Sequence, residues 1–210
     1  MRRTEPKIGL ITLDLRFSAM VRKIASELGA RVIHVADSEA LPLDIDVVIA
    51  SRKENLRVDW EKVLYREDFD SVSDLVEKAV ELSLVGSDYK TVMIAIDPGK
   101  NMGAVFMLDN KLIKTRRYGF VENLIEDVKK FVRAHENAER KYIVIGAATD
   151  FKMVKDIMLG LERALRGEDV TIIVSDESFT RKGLIPRAKG MSKDEYSALI
   201  LSLKTLLNLK

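Results

Sequence analysis

Carboxylates are the side chains in this sequence best able to assemble a reactive centre. Cysteine is absent, and the two histidines, His34 and His135, lie far apart in a chain of 210 residues. That removes disulfides, thiolate zinc sites, iron–sulfur clusters and a cysteine nucleophile. Any metal here must be held mainly by carboxylate oxygen, which favours Mg²⁺ or Mn²⁺ over zinc. The most informative carboxylate is Asp97. It closes the apolar run Met93-Ile94-Ala95-Ile96, a Pro98-Gly99 turn follows, and Gly103 opens the return strand. Glycines at such places permit close backbone approach, so a phosphate and a metal ion can sit beside the strand. A carboxylate at the end of a central strand is also held rigidly, as a divalent ion requires. The plainer reading is a hairpin turn with an exposed Asp. A P-loop is excluded, because Gly99-Lys100 runs into Asn101 and a strand instead of a Ser or Thr opening a helix.

The elements that must position Asp97 follow from hydrophobic periodicity. Thr91–Ile96 and Gly103–Leu108 read as strands, and Asp109-Asn110 is a tight turn into a third, Lys111–Tyr118. An amphipathic helix (Val121–His135), a strand (Tyr142–Ile145), a helix (Phe151–Arg166), a strand (Val170–Ser175) and a final helix (Lys193–Leu207) come next. The order β-β-β-α-β-α-β-α is that of the RNase H-like fold, a mixed five-stranded sheet with helices on both faces. Before it, Lys7–Leu13, Arg31–Val35 and Asp46–Ala50 read as short buried strands. They alternate with helical patterns at Ser18–Leu28 and Ser71–Leu84, as in a small Rossmann-like α/β domain with a parallel sheet. Gly86-Ser87-Asp88 is the boundary signal, giving expected domains 1–87 and 88–210.

Ile96-Asp97-Pro98-Gly99 with Gly103 resembles the first catalytic motif of RuvC-type Holliday-junction resolvases. Ile173-Val174-Ser175-Asp176-Glu177-Ser178-Phe179-Thr180 is similar to a strand-end motif of the related YqgF family of resolvase-like and RNA-processing nucleases. Asp194-Glu195-Tyr196-Ser197-Ala198 is similar to that family's last helix. The three motifs arrive in the family's order and cover nearly all of the chain after Asp88. The resemblance implies a nuclease that hydrolyses phosphodiester bonds in branched DNA or structured RNA. It implies Asp97, Glu177 and Asp194 as catalytic residues, with Asp176 joining them in holding Mg²⁺ or Mn²⁺. In the two-metal scheme one ion activates a water and the other stabilises the leaving 3′ oxygen. It also implies a homodimer, since a four-way junction needs two symmetric cuts. Taken alone, Asp194 reads as a helix cap or a charge favoured near a helix N-terminus, and Asp176-Glu177 as a solvated loop start.

Two departures divide the alternatives. A RuvC resolvase carries a Glu near the fourth strand, whereas Tyr142–Gly146 has no carboxylate, which favours YqgF. The Arg expected after Asp-Glu is Ser178, which keeps a non-catalytic nucleic-acid-binding shell as the alternative function. An ATP-using relative of actin and the sugar kinases would need two such halves, and this chain has one.

The segment Arg181–Lys193 is basic and has no acidic residue, and Gly183, Pro186 and Gly190 make it irregular. Arg181, Lys182, Arg187, Lys189 and Lys193, together with Lys100, are the expected contacts to a phosphate backbone, which supply affinity without sequence choice. Arg116-Arg117-Tyr118 would extend that surface. The net charge of +2 argues neither for nor against nucleic acid. No apolar run approaches the roughly 18–20 residues of a membrane span, and no signal peptide is legible, so a cytoplasmic protein is expected. The 32% of charged residues is a composition common in proteins from hot environments. The first domain has no Gly-x-Gly-x-x-Gly and hence no support for a dinucleotide cofactor. Asp14 and Asp37 lie at strand ends, where α/β ligands bind but where caps are also common. His34 reads as a packed residue and the domain as a scaffold.

Overall fold

Unbroken runs of Val, Ile and Leu bury strands on both faces, and in this chain they do so in two separate sheets. The computed structural model describes residues 5–147, 151–176 and 191–208. It divides into two compact units, Met1–Asp88 and Tyr89–Lys210.

In the first unit β1 (Lys7–Ile11), β2 (Arg31–Val35), β3 (Val47–Ala50) and β4 (Val63–Tyr65) form a parallel sheet in the order β2-β1-β3-β4. Helices α1 (Leu15–Glu27) and α2 (Val72–Leu84) cover one face, with Phe17, Val21, Leu75 and Val76 packed on Ile8, Leu10 and Ile49. The other face, Ile11, Val48 and Ala50, is closed by Leu41, Ile45 and the segment around Trp60. Helix α1 begins three residues before the expected Ser18, because Asp14 caps it by accepting from the Arg16 and Phe17 N–H groups. Strand β4 is only three residues long and its sequence gives no clear alternation.

In the second unit β5 (Thr91–Asp97), β6 (Met102–Leu108) and β7 (Lys111–Tyr118) make an antiparallel meander. Strands β8 (Arg140–Ala147) and β9 (Thr171–Asp176) add in parallel on the other side of β5. The order β7-β6-β5-β8-β9 makes the five-stranded mixed sheet expected from the sequence. Strand alternation assigns the two faces. Met93, Val105 and Met107 pack against Ala198 and Leu199 of α5 (Lys193–Asn208). Phe106, one residue out of phase, meets Phe131 of α3 (Val121–Ala134) on the opposite face, edge to face at 5.1 Å. There α3 lies beside α4 (Phe151–Ala164), whose Gly160 leaves room for Ile125.

A buried ionic cluster locks α3 to β7. Asp127 accepts from Lys114 Nζ at 3.2 Å, from Arg116 Nη1 at 3.0 Å and from the Tyr118 hydroxyl at 2.5 Å. Residues 114, 116 and 118 alternate to the α3 face, so Arg116 and Tyr118 turn away from the side of the sheet that Asp97 occupies.

Candidate active site

The site is assembled by one row of residues across the second sheet. Arg117 on β7 pairs with Gly103 on β6, and Gly103 pairs with Asp97 on β5. Continuing the β5–β8 register by one residue brings Gly146 beside Asp97, and Gly146 pairs with Ser175 on β9. Asp97 is partly exposed at the end of an otherwise buried strand. It therefore stands on the α5 face with glycine as its neighbour on both sides. Neither neighbour carries a side chain, so backbone can approach the strand closely on both sides of it.

Gly103 also decides where α5 starts. A Cβ there would come within 2.4 Å of the Asp194 carbonyl carbon and 2.7 Å of the Glu195 nitrogen. Real Cβ atoms do not approach backbone so closely, so the first turn of α5 rests directly on a glycine-bared patch of β6. The residue bordering Asp97 laterally is thus the one that admits Asp194 from above. Gly103→Ala forces that turn outward. The expected cost is about 1–3 kcal/mol by denaturant unfolding, the usual range for an overpacked contact.

The sequence offers helix capping as the plainer role for Asp194, and two other residues perform it. Ser192 Oγ accepts from the Glu195 N–H at 3.2 Å, and Glu195 Oε2 accepts from the Ser192 N–H at 2.7 Å. This is a capping box, Ser192-Lys193-Asp194-Glu195, and its Ser-x-x-Glu spacing is the signal for it in the sequence. Asp194 is left to face the sheet, where Arg117 Nη2 lies 3.9 Å from its Oδ2. The helix N-terminus favours its charge in addition. Ser192→Ala should cost about 1 kcal/mol of stability in thermal unfolding, because an orphan N–H returns at the start of α5.

Of the expected site residues, Asp97 and Asp194 are thereby brought to one place. Strand β9 ends at Asp176, whose backbone pairs with Ala147, one step beyond the row of Asp97. Glu177 lies outside the described residues, as do Arg181, Lys182, Arg187 and Lys189. Lys100 is exposed in the turn from β5 to β6, and Lys193 is exposed at the first position of α5, one residue before Asp194. Among the described residues no three Asp, Glu or His side chains gather as a metal-holding group. Arg117 belongs to the row, and of Arg116-Arg117-Tyr118 it alone faces it.

The first unit holds polar clusters at the carboxyl ends of its strands, where ligands of parallel sheets bind. Its own carboxylates occupy the donors there. Glu54 accepts from the Thr12 hydroxyl and the Leu13 N–H, and Glu67 from the Ser51 hydroxyl and the Arg52 N–H. The Ser51 hydrogen bond is the largest influence holding Glu67 down to about 2. Asp14 caps α1 and pairs with Arg66 at 3.3 Å, and Asp37 caps a single 3₁₀ turn, accepting from the Glu39 N–H. His34 is fixed between Ser18 Oγ and the Thr12 carbonyl.

No protein-family model matches this chain, and no curated protein does. Among solved structures, Fowlpox virus resolvase in complex with Holliday junction DNA is similar at 15% identity and a TM-score of 0.41. The match covers 56% of this chain and 98% of that one. T. thermophilus RuvC in complex with a Holliday junction substrate is similar at 12% identity and a TM-score of 0.41, over 57% and 95% of the two chains. At those values the site stands on its own geometry. No helix among the described residues is long and apolar enough to cross a membrane.

Proposed function

We propose that residues 88–210 form an RNase H-like nuclease domain of the RuvC/YqgF type, hydrolysing phosphodiester bonds in branched DNA or structured RNA. Residues 1–87 form its Rossmann-like scaffold. One observation carries this reading: Gly103 both borders Asp97 and admits the first turn of α5, so the backbones of Asp97 and Asp194, far apart in sequence, meet at one glycine.

The donors fit a hard cation. They are carboxylate oxygens at a partly exposed edge, they carry net negative charge, and no cysteine thiolate exists in the chain. Asp97 and Asp194 would hold Mg²⁺ or Mn²⁺, with Glu177 and Asp176 as the further carboxylates of the set. A bound ion there supplies Lewis-acid polarisation of the phosphodiester and a water acidified toward neutral pH. The chain's own part is positional. Strand β5 fixes Asp97, the capping box fixes the turn bearing Asp194, and Arg117 offers a cation beside Asp194. Lys100, Lys193 and the basic segment 181–189 supply backbone phosphate contacts. Strand β8, with Gly146 and no carboxylate on the row, fits the YqgF pattern better than that of RuvC. The reading also brings a homodimer, since a four-way junction is resolved by two symmetric cuts.

Purified chain incubated with Mg²⁺ or Mn²⁺ and labelled four-way junctions, flaps and structured RNAs tests the proposal. Cutting that requires the metal and stops with chelator is expected. The second reading, a nucleic-acid-binding protein without catalysis, is favoured by Ser178 in place of an Arg and by the cation already standing beside Asp194. Salt-sensitive binding to the same substrates, with no product under either metal, would establish that reading instead.

A further inference from the structure

Two adjacent arginines on β7 are held in different ways. Arg116 donates to the buried Asp127 at 3.0 Å, inside a cluster that Lys114 and Tyr118 complete. Arg117, on the opposite face, meets Asp194 at 3.9 Å. That exceeds hydrogen-bonding distance, and the two side chains are 49% and 35% exposed. Among the described residues no other acidic side chain pairs with Arg117. A pair so loose and so wet contributes little to folding. It does not cap α5 either, since Ser192 and Glu195 do that.

The position of Arg117 gives it another use. It pairs with Gly103, and Gly103 with Asp97, so no side chain stands between Arg117 and Asp97 on that row. A divalent ion held by Asp97 and Asp194 would claim the same carboxylate that Arg117 neutralises. Two cations at one carboxylate repel each other. A guanidinium released there is a planar, two-pronged donor, the group best matched to a phosphate. We propose that Arg117 is an exchangeable counter-ion, an inference that rests on the nuclease reading of this site. It neutralises Asp194 while no divalent cation is bound, and turns to a backbone phosphate of the nucleic acid when one is. Metal and substrate then bind cooperatively, and by linkage each raises the affinity for the other by the same factor.

Titrations on the full chain test the proposal. Mn²⁺ is added without nucleic acid, and its free fraction is read by electron paramagnetic resonance. Arg117→Met removes the competitor and should tighten Mn²⁺ binding about two- to fivefold, the span of an exposed ion pair. Lys90→Met removes an exposed charge just before β5, at the end away from Asp97, and should leave the affinity unchanged. Binding of a labelled four-way junction is then followed by fluorescence anisotropy, in Ca²⁺ or in chelator at matched ionic strength. Ca²⁺ should tighten junction binding in the native chain, and by about two- to fivefold less in Arg117→Met. Asp194→Asn, which frees Arg117 without a metal, should bind the junction in chelator more tightly than the native chain does. That variant decides the question should Arg117→Met fail to fold. Mn²⁺ binding by the native chain that Arg117→Met leaves unchanged overturns the proposal and spares the nuclease reading. Equal gains from Ca²⁺ in both chains, or an Asp194→Asn no tighter than native, overturn it as well. No Mn²⁺ binding by the native chain overturns that reading and the proposal together.

Discussion

Asp97→Asn should abolish metal-dependent cleavage while leaving the protein folded. Lewis-acid stabilisation of a phosphoryl transition state contributes several kcal/mol, and each ~1.4 kcal/mol is tenfold in rate, so a loss of at least about 10³-fold is expected. Asparagine keeps the shape and one oxygen donor but removes the charge that attracts a divalent ion. The start of α5 should hold in the variant, because its cap is made by Ser192 and Glu195. Single-turnover cleavage of a labelled junction, paired with thermal unfolding of the same preparation, separates the two effects. Full cleavage by the variant would remove Asp97 from the chemistry. Lost cleavage with a lowered melting temperature would make it a structural residue.

Asp127→Ala should produce the largest loss of stability of any single change described for the second unit, about 3–5 kcal/mol. That is the range for breaking a buried ion pair by removing one of its members. The partner here is Lys114, whose side chain is 4% exposed, against 14% for Asp127. With Asp127 gone, the ammonium group keeps its contacts with the faces of Phe106 and Phe131 but loses this charge partner. Burial pushes the Asp127 carboxyl up, and the Lys114 charge, the Tyr118 hydrogen bond and the Arg116 charge together outweigh it, so its net displacement is below 3.8. A carboxyl depressed on folding contributes stability that is present above its unfolded value. That stability is lost as pH falls through the folded one. The native protein should therefore lose stability steeply below about pH 4, the ordinary carboxylate range. In Asp127→Asn that acid limb should flatten. Urea unfolding at neutral pH and at pH 3 gives both numbers. A variant with unchanged stability would show that the cluster contributes only specificity.

The sequence carried the sheet's composition well and its register poorly. Alternation and turn chemistry mark β5, β6 and β7, because Asp109-Asn110 allows only a tight connection and Asp109 takes the positive φ it requires. They mark Asp97 too, since few reasons exist for a carboxylate, Pro and Gly to end a fully apolar strand. What alternation cannot show is which residue lies opposite which. The irregularity between Phe106 and Met107 shifts the pairing of β6 with β7, and the row Arg117–Gly103–Asp97 depends on that shift. From sequence Arg116 and Arg117 are equivalent; in the fold one reaches Asp127 and the other Asp194. The role of Gly103 was legible only in part. A bare strand position could be expected to admit a ligand, but nothing local says that the start of a helix ninety residues later rests on it. The short β4 was hidden because Val63-Leu64-Tyr65 follows a charged stretch and is too brief to show a period.

The central claim is that Asp97 and Asp194 hold one divalent cation, and a crystal of the full chain soaked in Mn²⁺ tests it most directly. Anomalous scattering should place manganese within bonding distance of both carboxylates, with Arg117 withdrawn from Asp194. Manganese elsewhere, or none while Arg117 stays paired with Asp194, would contradict the account.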